Sequence, residues 1–155
     1  MSYRIRGLSA VPFQHLFGLS DRALADHGAE RHVADATPGY PDRVELRDAR
    51  PGERLLLVNY THQPAPTPYR ASHAIFILEG AGAPWDRVGE LPPVLRDRPI
   101  SLRGFDAVGR MVTADLAKGD GLEPAIVALL QDPAVDYLHA HFAARGCYAA
   151  RIERA

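Results

Sequence analysis

The sequence predicts an α+β domain with a mainly antiparallel sheet of about eight strands and two short helices. Short segments in which apolar and polar residues alternate, the pattern of a half-buried strand, recur along the whole chain. Only residues 12–28 and 121–131 have helical spacing. Strands and helices do not alternate in the way that a parallel sheet requires.

Length and composition indicate one domain, residues 1–155. A chain of this size buries enough surface to fold without disulfides, and its single cysteine cannot form an internal one, which fits a reducing compartment. The net charge of -1 argues against a nucleic-acid partner. The sequence shows neither a signal peptide nor an apolar run long enough to span a membrane. We therefore expect a cytoplasmic protein that binds neither nucleic acid nor membrane.

The first fifty residues predict short elements separated by turns. Ser20 is suited to cap the second part of the first helical region, and Gly28 to end it. Strands are expected at residues 3–8 and 31–34. Residues 44–47 alternate apolar and charged side chains, which predicts a further, half-exposed strand.

The middle of the chain predicts a central strand followed by a rigid loop. Residues 55–58 are apolar on both faces, as in a strand covered on both sides, and polar residues 59–62 follow it. The next loop contains three prolines and is suited to present Tyr69 and Arg70 to a ligand. A packed connector is the alternative for this loop. Another strand is expected at residues 73–79.

The second half predicts a long loop, a hairpin and a helix. Residues 80–99 contain four prolines and are expected to be irregular. Residues 100–106 and 110–116 form a hairpin around a three-residue loop ending at Gly109, which pairs Leu102 with Ala114. Residues 121–131 form the clearest helix, in which Pro124 is tolerated in the first turn.

The last two strands carry the most reactive side chains. His139 and His141 share one strand face because strand side chains alternate. A two-residue loop would place both imidazoles on the face of Tyr148 and Ile152. A three-residue loop, residues 144–146, pairs Phe142 with Tyr148, His141 with Ala149 and His139 with Arg151, and leaves Cys147 diagonal to His141. We prefer the second loop because it leaves one face wholly apolar.

His139 and His141 are the candidate metal ligands. Two imidazoles on one face can bind a divalent metal such as zinc when a third ligand is available. His62, His73, Asp106 and Cys147 are the candidates for that third position, and the sequence does not choose among them. The alternative is that hydrogen bonds satisfy both histidines.

Catalytic and anion-binding roles are also predicted here. Cys147 follows a glycine near histidines and arginines, an environment in which a thiol can act as a nucleophile. A small buried residue is the alternative. His139 or His141 could transfer protons. An anion site is predicted from Arg70, Arg145 or Arg151 with Tyr69, because a guanidinium forms paired hydrogen bonds with carboxylate or phosphate. Of these, Tyr69, Arg70 and Arg151 are the candidate ligand-binding residues, and ordinary surface arginines are the alternative.

Four blocks of the sequence together resemble the bacterial domain-of-unknown-function family 1203. They are PGYPDRVELRDARPGE, NYTHQPAPTPYRASHAIFI, ISLRGFDAVGRMV and YLHAHFAARGCYAARIER. They follow one another across nearly the whole chain, so the resemblance is at the level of the whole domain. It implies a soluble bacterial protein and brings no activity.

The leading hypothesis is therefore a small-molecule enzyme or binding protein. Its polar site of histidine, cysteine and arginine lies on the C-terminal hairpin and acts on an anionic ligand. The competing hypothesis is a non-catalytic binding or assembly module, in which the polar strand face forms a homodimer interface.

Overall fold

The computed structural model describes all residues, Met1–Ala155, as nine strands, three α-helices and two short 3-10 helices. The strands are β1 (Tyr3–Arg6), β2 (Glu30–Val33), β3 (Arg54–Gln63), β4 (Ala71–Leu78), β5 (Asp86–Val88), β6 (Ile100–Phe105), β7 (Met111–Ala117), β8 (Tyr137–Phe142) and β9 (Tyr148–Arg154). The α-helices are α1 (Asp21–Asp26), α2 (Pro93–Arg96) and α3 (Leu122–Gln131), and the 3-10 helices are Val11–Leu16 and Gly119–Gly121. None of these helices has the length and apolar character needed to cross a membrane.

The α+β class and the antiparallel pairing are confirmed, but the strands form two sheets where we expected one. A six-stranded sheet has the order β5-β1-β9-β8-β6-β7, and a three-stranded sheet has the order β2-β3-β4. Central strand β3 is apolar on both faces, so each of its faces needs a covering layer. A single open sheet cannot provide both layers, whereas a second sheet packed against the first supplies one of them.

Each sheet has its own hydrophobic core. One core contains the apolar side of β8 and β9 together with helix α3, including Leu138, Ile126 and Leu130. The other surrounds β3 and β4 and contains Tyr148 from the six-stranded sheet. Every residue of β8 is buried. Strand β8 therefore has packed layers on both of its sides, and its histidines lie between the sheets.

Both predicted helical regions are confirmed. The side-chain oxygen of Ser20 accepts a hydrogen bond from the Ala23 amide at 3.1 Å, which is the expected cap of α1. Gly28 follows α1 with a φ of 68°, a conformation that glycine adopts without strain. Helix α3 buries Ile126 and Leu130 against the six-stranded sheet, as its spacing indicates.

The strand predicted at residues 44–47 is wrong. This segment contains bends, and Leu46 has a φ of 52°. The Asp42 carboxylate accepts hydrogen bonds from the amides of Glu45 at 2.6 Å and Leu78 at 2.7 Å. The Val44 carbonyl accepts from the Trp85 amide and the Arg47 carbonyl accepts from the Asp42 amide, so the backbone of this segment is paired without a strand ladder, and Val44 and Leu46 are buried outside a sheet.

The loop predicted at residues 80–99 is also more regular than expected. It contains β5, which pairs with β1 at the edge of the six-stranded sheet, and the single turn of α2. The four prolines of this segment led to the prediction of an irregular loop. Proline is nevertheless compatible with the first turn of a helix, where it lies in α2.

The three-residue loop predicted between β6 and β7 is confirmed, but the register beyond it is not. The Asp106 amide donates to the Arg110 carbonyl at 2.9 Å, and Gly109 has a φ of 84°. A bulge next to Gly104 then shifts the pairing by one residue, so that Leu102 lies opposite Asp115 and Ala114 lies opposite Arg103.

The close approach of β1 to the segment around Val44 requires glycine at position 7. A Cβ atom on Gly7 would overlap the Val44 carbonyl oxygen, whereas one on Gly82 would meet no atom within 4 Å. We expect Gly7→Ala to lower the free energy of unfolding by about 2 kcal/mol or more because two backbones must separate. Gly82→Ala is the matched control, and urea denaturation measures both. Equal midpoints for the two variants would contradict this packing.

Candidate metal centre

The turn between β8 and β9 is one residue longer than predicted. The Phe142 amide donates to the Cys147 carbonyl at 2.9 Å, so residues 143–146 form the loop. A bulge then follows, in which His141 lies opposite Tyr148. The predicted pairs of Phe142 with Tyr148 and of His141 with Ala149 are therefore wrong. Beyond the bulge the predicted register is restored, and His139 lies opposite Arg151 as expected.

The longer loop places Cys147 away from the histidines. Cys147 is buried among the core residues of the six-stranded sheet together with Phe142 and Ala140, whereas the histidines share the opposite face with Tyr148. Its Sγ atom accepts a hydrogen bond from Nη2 of Arg43 at 3.1 Å. The predicted position of the thiol diagonal to His141 is a wrong expectation, because the extra loop residue reverses the side-chain alternation. Its catalytic role stays a prediction without support from this geometry.

His62 completes a cluster with the predicted pair. Ligand nitrogens of His62, His139 and His141 lie within 4.8 Å of one another, and the three side chains are 8%, 4% and 0% exposed. Of the four candidates for a third ligand, the structure brings only His62 into this group. Strand β3 contains a bulge between Tyr60 and Gln63, so that two consecutive residues face the other sheet: His62 stacks on Tyr148, and Gln63 donates to the Tyr137 hydroxyl at 2.8 Å. Regular strand alternation therefore could not have selected His62 from the sequence.

Aromatic rings enclose the three imidazoles. The Tyr148 ring stacks on His62 with centroids 5.6 Å apart and meets His139 edge-on at 5.1 Å. Phe105 lies 4.9 Å from the His139 ring. These contacts replace water around the imidazoles with apolar surface, which disfavours their charged forms.

Burial accordingly keeps the histidines neutral. Desolvation lowers the pKa of His62 to about 4 and the pKa values of His139 and His141 to about 3. The neighbouring imidazoles and the guanidinium of Arg103 lower them further, because a proton on any ring would be repelled. At neutral pH each ring therefore has one nitrogen with a free lone pair, as metal coordination requires.

The hydrogen bonds of the cluster leave one buried nitrogen of each histidine without a partner. Nδ1 of His141 lies 2.9 Å from the Gly146 carbonyl oxygen, which can only accept, so Nδ1 carries the proton and Nε2 has the lone pair. The buried nitrogens without partners are Nδ1 of His62, Nδ1 of His139 and Nε2 of His141. A buried polar atom without a partner costs about 1–3 kcal/mol, so a species that contacted all three nitrogens would stabilise the cluster.

Two guanidinium groups flank the histidines. Arg103 on β6 and Arg151 on β9 are the residues opposite His139 on its two sides. Arg151 lies over the Tyr137 ring at 3.8 Å and pairs with Glu153 at 3.2 Å. Sequence reasoning missed Arg103, whose position beside His139 depends on pairing between strands distant in the chain.

The predicted ligand-binding residues Tyr69 and Arg70 make their contacts elsewhere. Arg70 donates to the Pro64 carbonyl in its own loop, and the Tyr69 ring lies 6.0 Å from the Arg110 guanidinium carbon. Neither contact involves a histidine of the cluster. Of the predicted anion-binding residues, only Arg151 lies opposite His139 in the structure.

Comparison with known proteins gives one family. The family model described as "Protein of unknown function (DUF1203)" matches residues 39–154. The chain belongs to this family. The matched region contains His62, His139, His141 and Cys147, so the candidate centre lies within the DUF1203 domain. No curated protein and no solved structure matches the chain.

The lowered pKa values predict how stability depends on pH. An unfolded histidine takes up a proton near its ordinary pKa of 6.5, whereas folded His62 stays neutral down to about pH 4. Between these values the unfolded state binds more protons, so the free energy of unfolding falls as pH is lowered. Each such histidine contributes a slope of up to about 1.4 kcal/mol per pH unit.

This slope is measured by urea denaturation of metal-free protein between about pH 6.5 and 5, where carboxylates of ordinary or lowered pKa stay ionised. We expect His62→Gln to reduce the slope and the exposed-site control His27→Gln to leave it unchanged. Burial raises the pKa of Asp42, so this carboxyl contributes to the pH slope with the opposite sign. It is present in all three proteins and therefore does not affect the comparison. Identical slopes for wild type and His62→Gln would contradict the buried, neutral state.

Proposed function

We propose that this protein binds a divalent transition metal, with zinc as the best match, through His62, His139 and His141. The observation that carries this proposal is the convergence of three neutral, buried imidazoles, each with an unpartnered ring nitrogen. Imidazole nitrogen is a preferred ligand of zinc, copper, iron and nickel, and it is a poor match for magnesium or calcium.

Metal ligation fits the cluster better than proton transfer, the other role that the sequence predicts for His139 and His141. A general acid or base is most effective when its pKa lies near the working pH. A pKa of about 3 leaves either histidine a weak base at neutral pH. The same low pKa favours a ligand, because no proton competes with the metal for the lone pair.

Three histidines leave part of the coordination sphere open. Zinc at about 2.0–2.1 Å from each nitrogen separates tetrahedral ligands by about 3.3 Å, so the rings need small rotations inward from their present spacing. Sites with three protein ligands keep a position for water or substrate, which is the arrangement of catalytic rather than structural zinc.

The hydrogen bond to Gly146 supports this assignment from outside the cluster. Histidine ligands characteristically donate their second ring nitrogen to a carbonyl or carboxylate, which fixes the ring and its tautomer. His141 makes this contact through Nδ1, leaving Nε2 as its ligand atom. The loop after β8 therefore has a role in orienting a metal ligand.

Metal analysis tests the proposal. We expect purified protein to bind about one zinc ion per chain and to unfold at a lower temperature after chelation, because binding to the folded state stabilises it. His62→Ala should weaken zinc binding about 100-fold or more, since it removes one of three ligands. His27→Ala is the matched control.

Calorimetric titration of metal-free protein gives the affinities. Stoichiometric zinc with unchanged affinity in His62→Ala would contradict the three-histidine site. Absence of both binding and thermal stabilisation by added zinc would indicate that ordered water satisfies the three nitrogens.

We further propose that the open coordination position of the metal binds a small anionic ligand. Among the reactions that such a site could catalyse, metal-assisted hydrolysis is then the best match. The three ligands are uncharged, so a bound divalent ion keeps its full charge and attracts hydroxide or an anion. Arg103 and Arg151 add two positive charges beside His139. Arg151 forms an ion pair with Glu153, which offsets part of its positive charge. Arg103 instead donates a hydrogen bond to the neutral Ser101 hydroxyl.

Azide binding to cobalt-substituted protein tests this charge arrangement. The visible spectrum of cobalt changes when an anion enters its coordination sphere. We expect Arg103→Gln to weaken azide binding several-fold while cobalt stoichiometry stays unchanged. Arg70→Gln in the same titration tests whether the proline-rich loop contributes. Equal azide affinity in Arg103→Gln and wild type would remove Arg103 from the site.

The other expectations from the sequence stay predictions. The competing assembly hypothesis required His139 and His141 to face a second copy, and the chain itself covers these side chains almost completely. Bacterial origin, a cytoplasmic location and a homodimeric state are not needed for metal binding.

A further inference from the structure

A second candidate site lies on the other side of the loop that orients His141. A cavity of about 430 Å³ is bordered by this loop, by β4 and by the segment around Arg43. We propose that this cavity binds a small organic anion, with a carboxylate or phosphate held by arginines and with the Cys147 thiol in its wall. The volume is within the range of pockets that hold small molecules.

The cavity combines positive charge with apolar surface. Arg43, Arg98 and Arg145 reach it from three separate parts of the chain. Phe76 and Phe142 supply aromatic surface on its walls. A ligand with one anionic end and a small apolar body matches this combination, because guanidinium groups recognise the anion while the rings cover the remainder.

Arg43 is the strongest feature of the cavity because it is a buried cation without a hydrogen-bonded carboxylate. Its side chain is 2% exposed. It donates to the Tyr148 carbonyl at 2.8 Å, to the Pro41 carbonyl and to Sγ of Cys147. Desolvation lowers its pKa to about 10, so it remains charged at neutral pH. A buried charge of this kind is expected to have an anionic partner.

Neighbouring carboxylates do not supply that partner by hydrogen bonding. Asp42 is directed toward backbone amides, including those of Glu45 and Leu78. Asp48 pairs with Arg98 through two hydrogen bonds of 2.6 and 3.0 Å. Arg145 is exposed and makes no ion pair within the chain. Three arginines and two aspartates therefore leave a surplus of positive charge around the cavity.

This cavity is separate from the metal centre. Within the loop, Gly146 directs its carbonyl oxygen toward His141, and the next residue, Cys147, faces the cavity. None of the three proposed metal ligands lines the cavity. Failure of one site to bind its ligand would therefore leave the evidence for the other unchanged.

Alkylation of the thiol provides a direct test because Cys147 is the only cysteine in the chain. The sulfur attacks the methylene carbon of iodoacetate or iodoacetamide, the carbon–iodine bond breaks, iodide leaves, and the thiol proton passes to solvent. The two reagents have similar size but differ in charge. Their rate ratio therefore reports the charge of the cavity, while limited access to the thiol affects both rates alike.

We expect the iodoacetate-to-iodoacetamide rate ratio at Cys147 to exceed the ratio for N-acetylcysteine by at least about 10-fold, because a cationic cleft concentrates anions. Added inorganic phosphate should slow iodoacetate and leave iodoacetamide unaffected. Arg145→Gln should lower the ratio several-fold, and the exposed, distant Arg22→Gln should not. Intact-mass spectrometry follows all reactions at fixed metal content.

A rate ratio equal to that of N-acetylcysteine would overturn the proposal, as would insensitivity to both phosphate and Arg145→Gln. Failure of both reagents to modify folded protein would show that the thiol does not open to the cavity, which also overturns it. The phosphate measurement uses unaltered protein and therefore does not depend on whether any variant folds.

Discussion

Two adjacent buried side chains, Asp42 and Arg43, connect the sheets on which the candidate centre depends. The Asp42 carboxylate accepts the Leu78 amide at the end of β4, and the Arg43 guanidinium donates to the Tyr148 carbonyl at the start of β9. One short segment is thus bonded to both sheets. Because Tyr148 packs against His62, these bonds also help to hold the end of β3 over β8. Removal of either side chain would leave several buried partners unsatisfied.

The paired sheets give His62 and His141 an environment that neither sheet could provide alone. His62 belongs to the smaller sheet, and His139 and His141 belong to the larger one. Stacking against Tyr148 and contact with Phe105 exclude water from the space between them. Without water, a protonated imidazole is unfavourable between the sheets. For the same reason, a ring nitrogen without a hydrogen-bond partner is costly there. A bound metal relieves that cost without introducing a proton.

Local patterns were sufficient to predict the two main helical regions, most of the strands and the shared face of His139 and His141, but not helix α2 or strand β5. They failed where distant contacts decide the structure. The loop after β8 is one residue longer than the position of Gly146 suggested. The extra residue turned Cys147 to the opposite face, and the bulge opposite His141 then restores the predicted register. Val44 and Leu46 looked like a strand because alternation alone does not reveal that Asp42 satisfies the backbone. His62 was predictable as one of four candidates, but its selection required the packing of two sheets.

The zinc coordination shell provides the most direct test of the central claim. X-ray absorption at the zinc edge of the loaded protein should show three nitrogen ligands at about 2.0–2.1 Å and one further light atom, without sulfur. A zinc–sulfur distance of about 2.3 Å would instead place Cys147 in the coordination shell. That result would contradict both the three-histidine centre and the separation of the thiol from it.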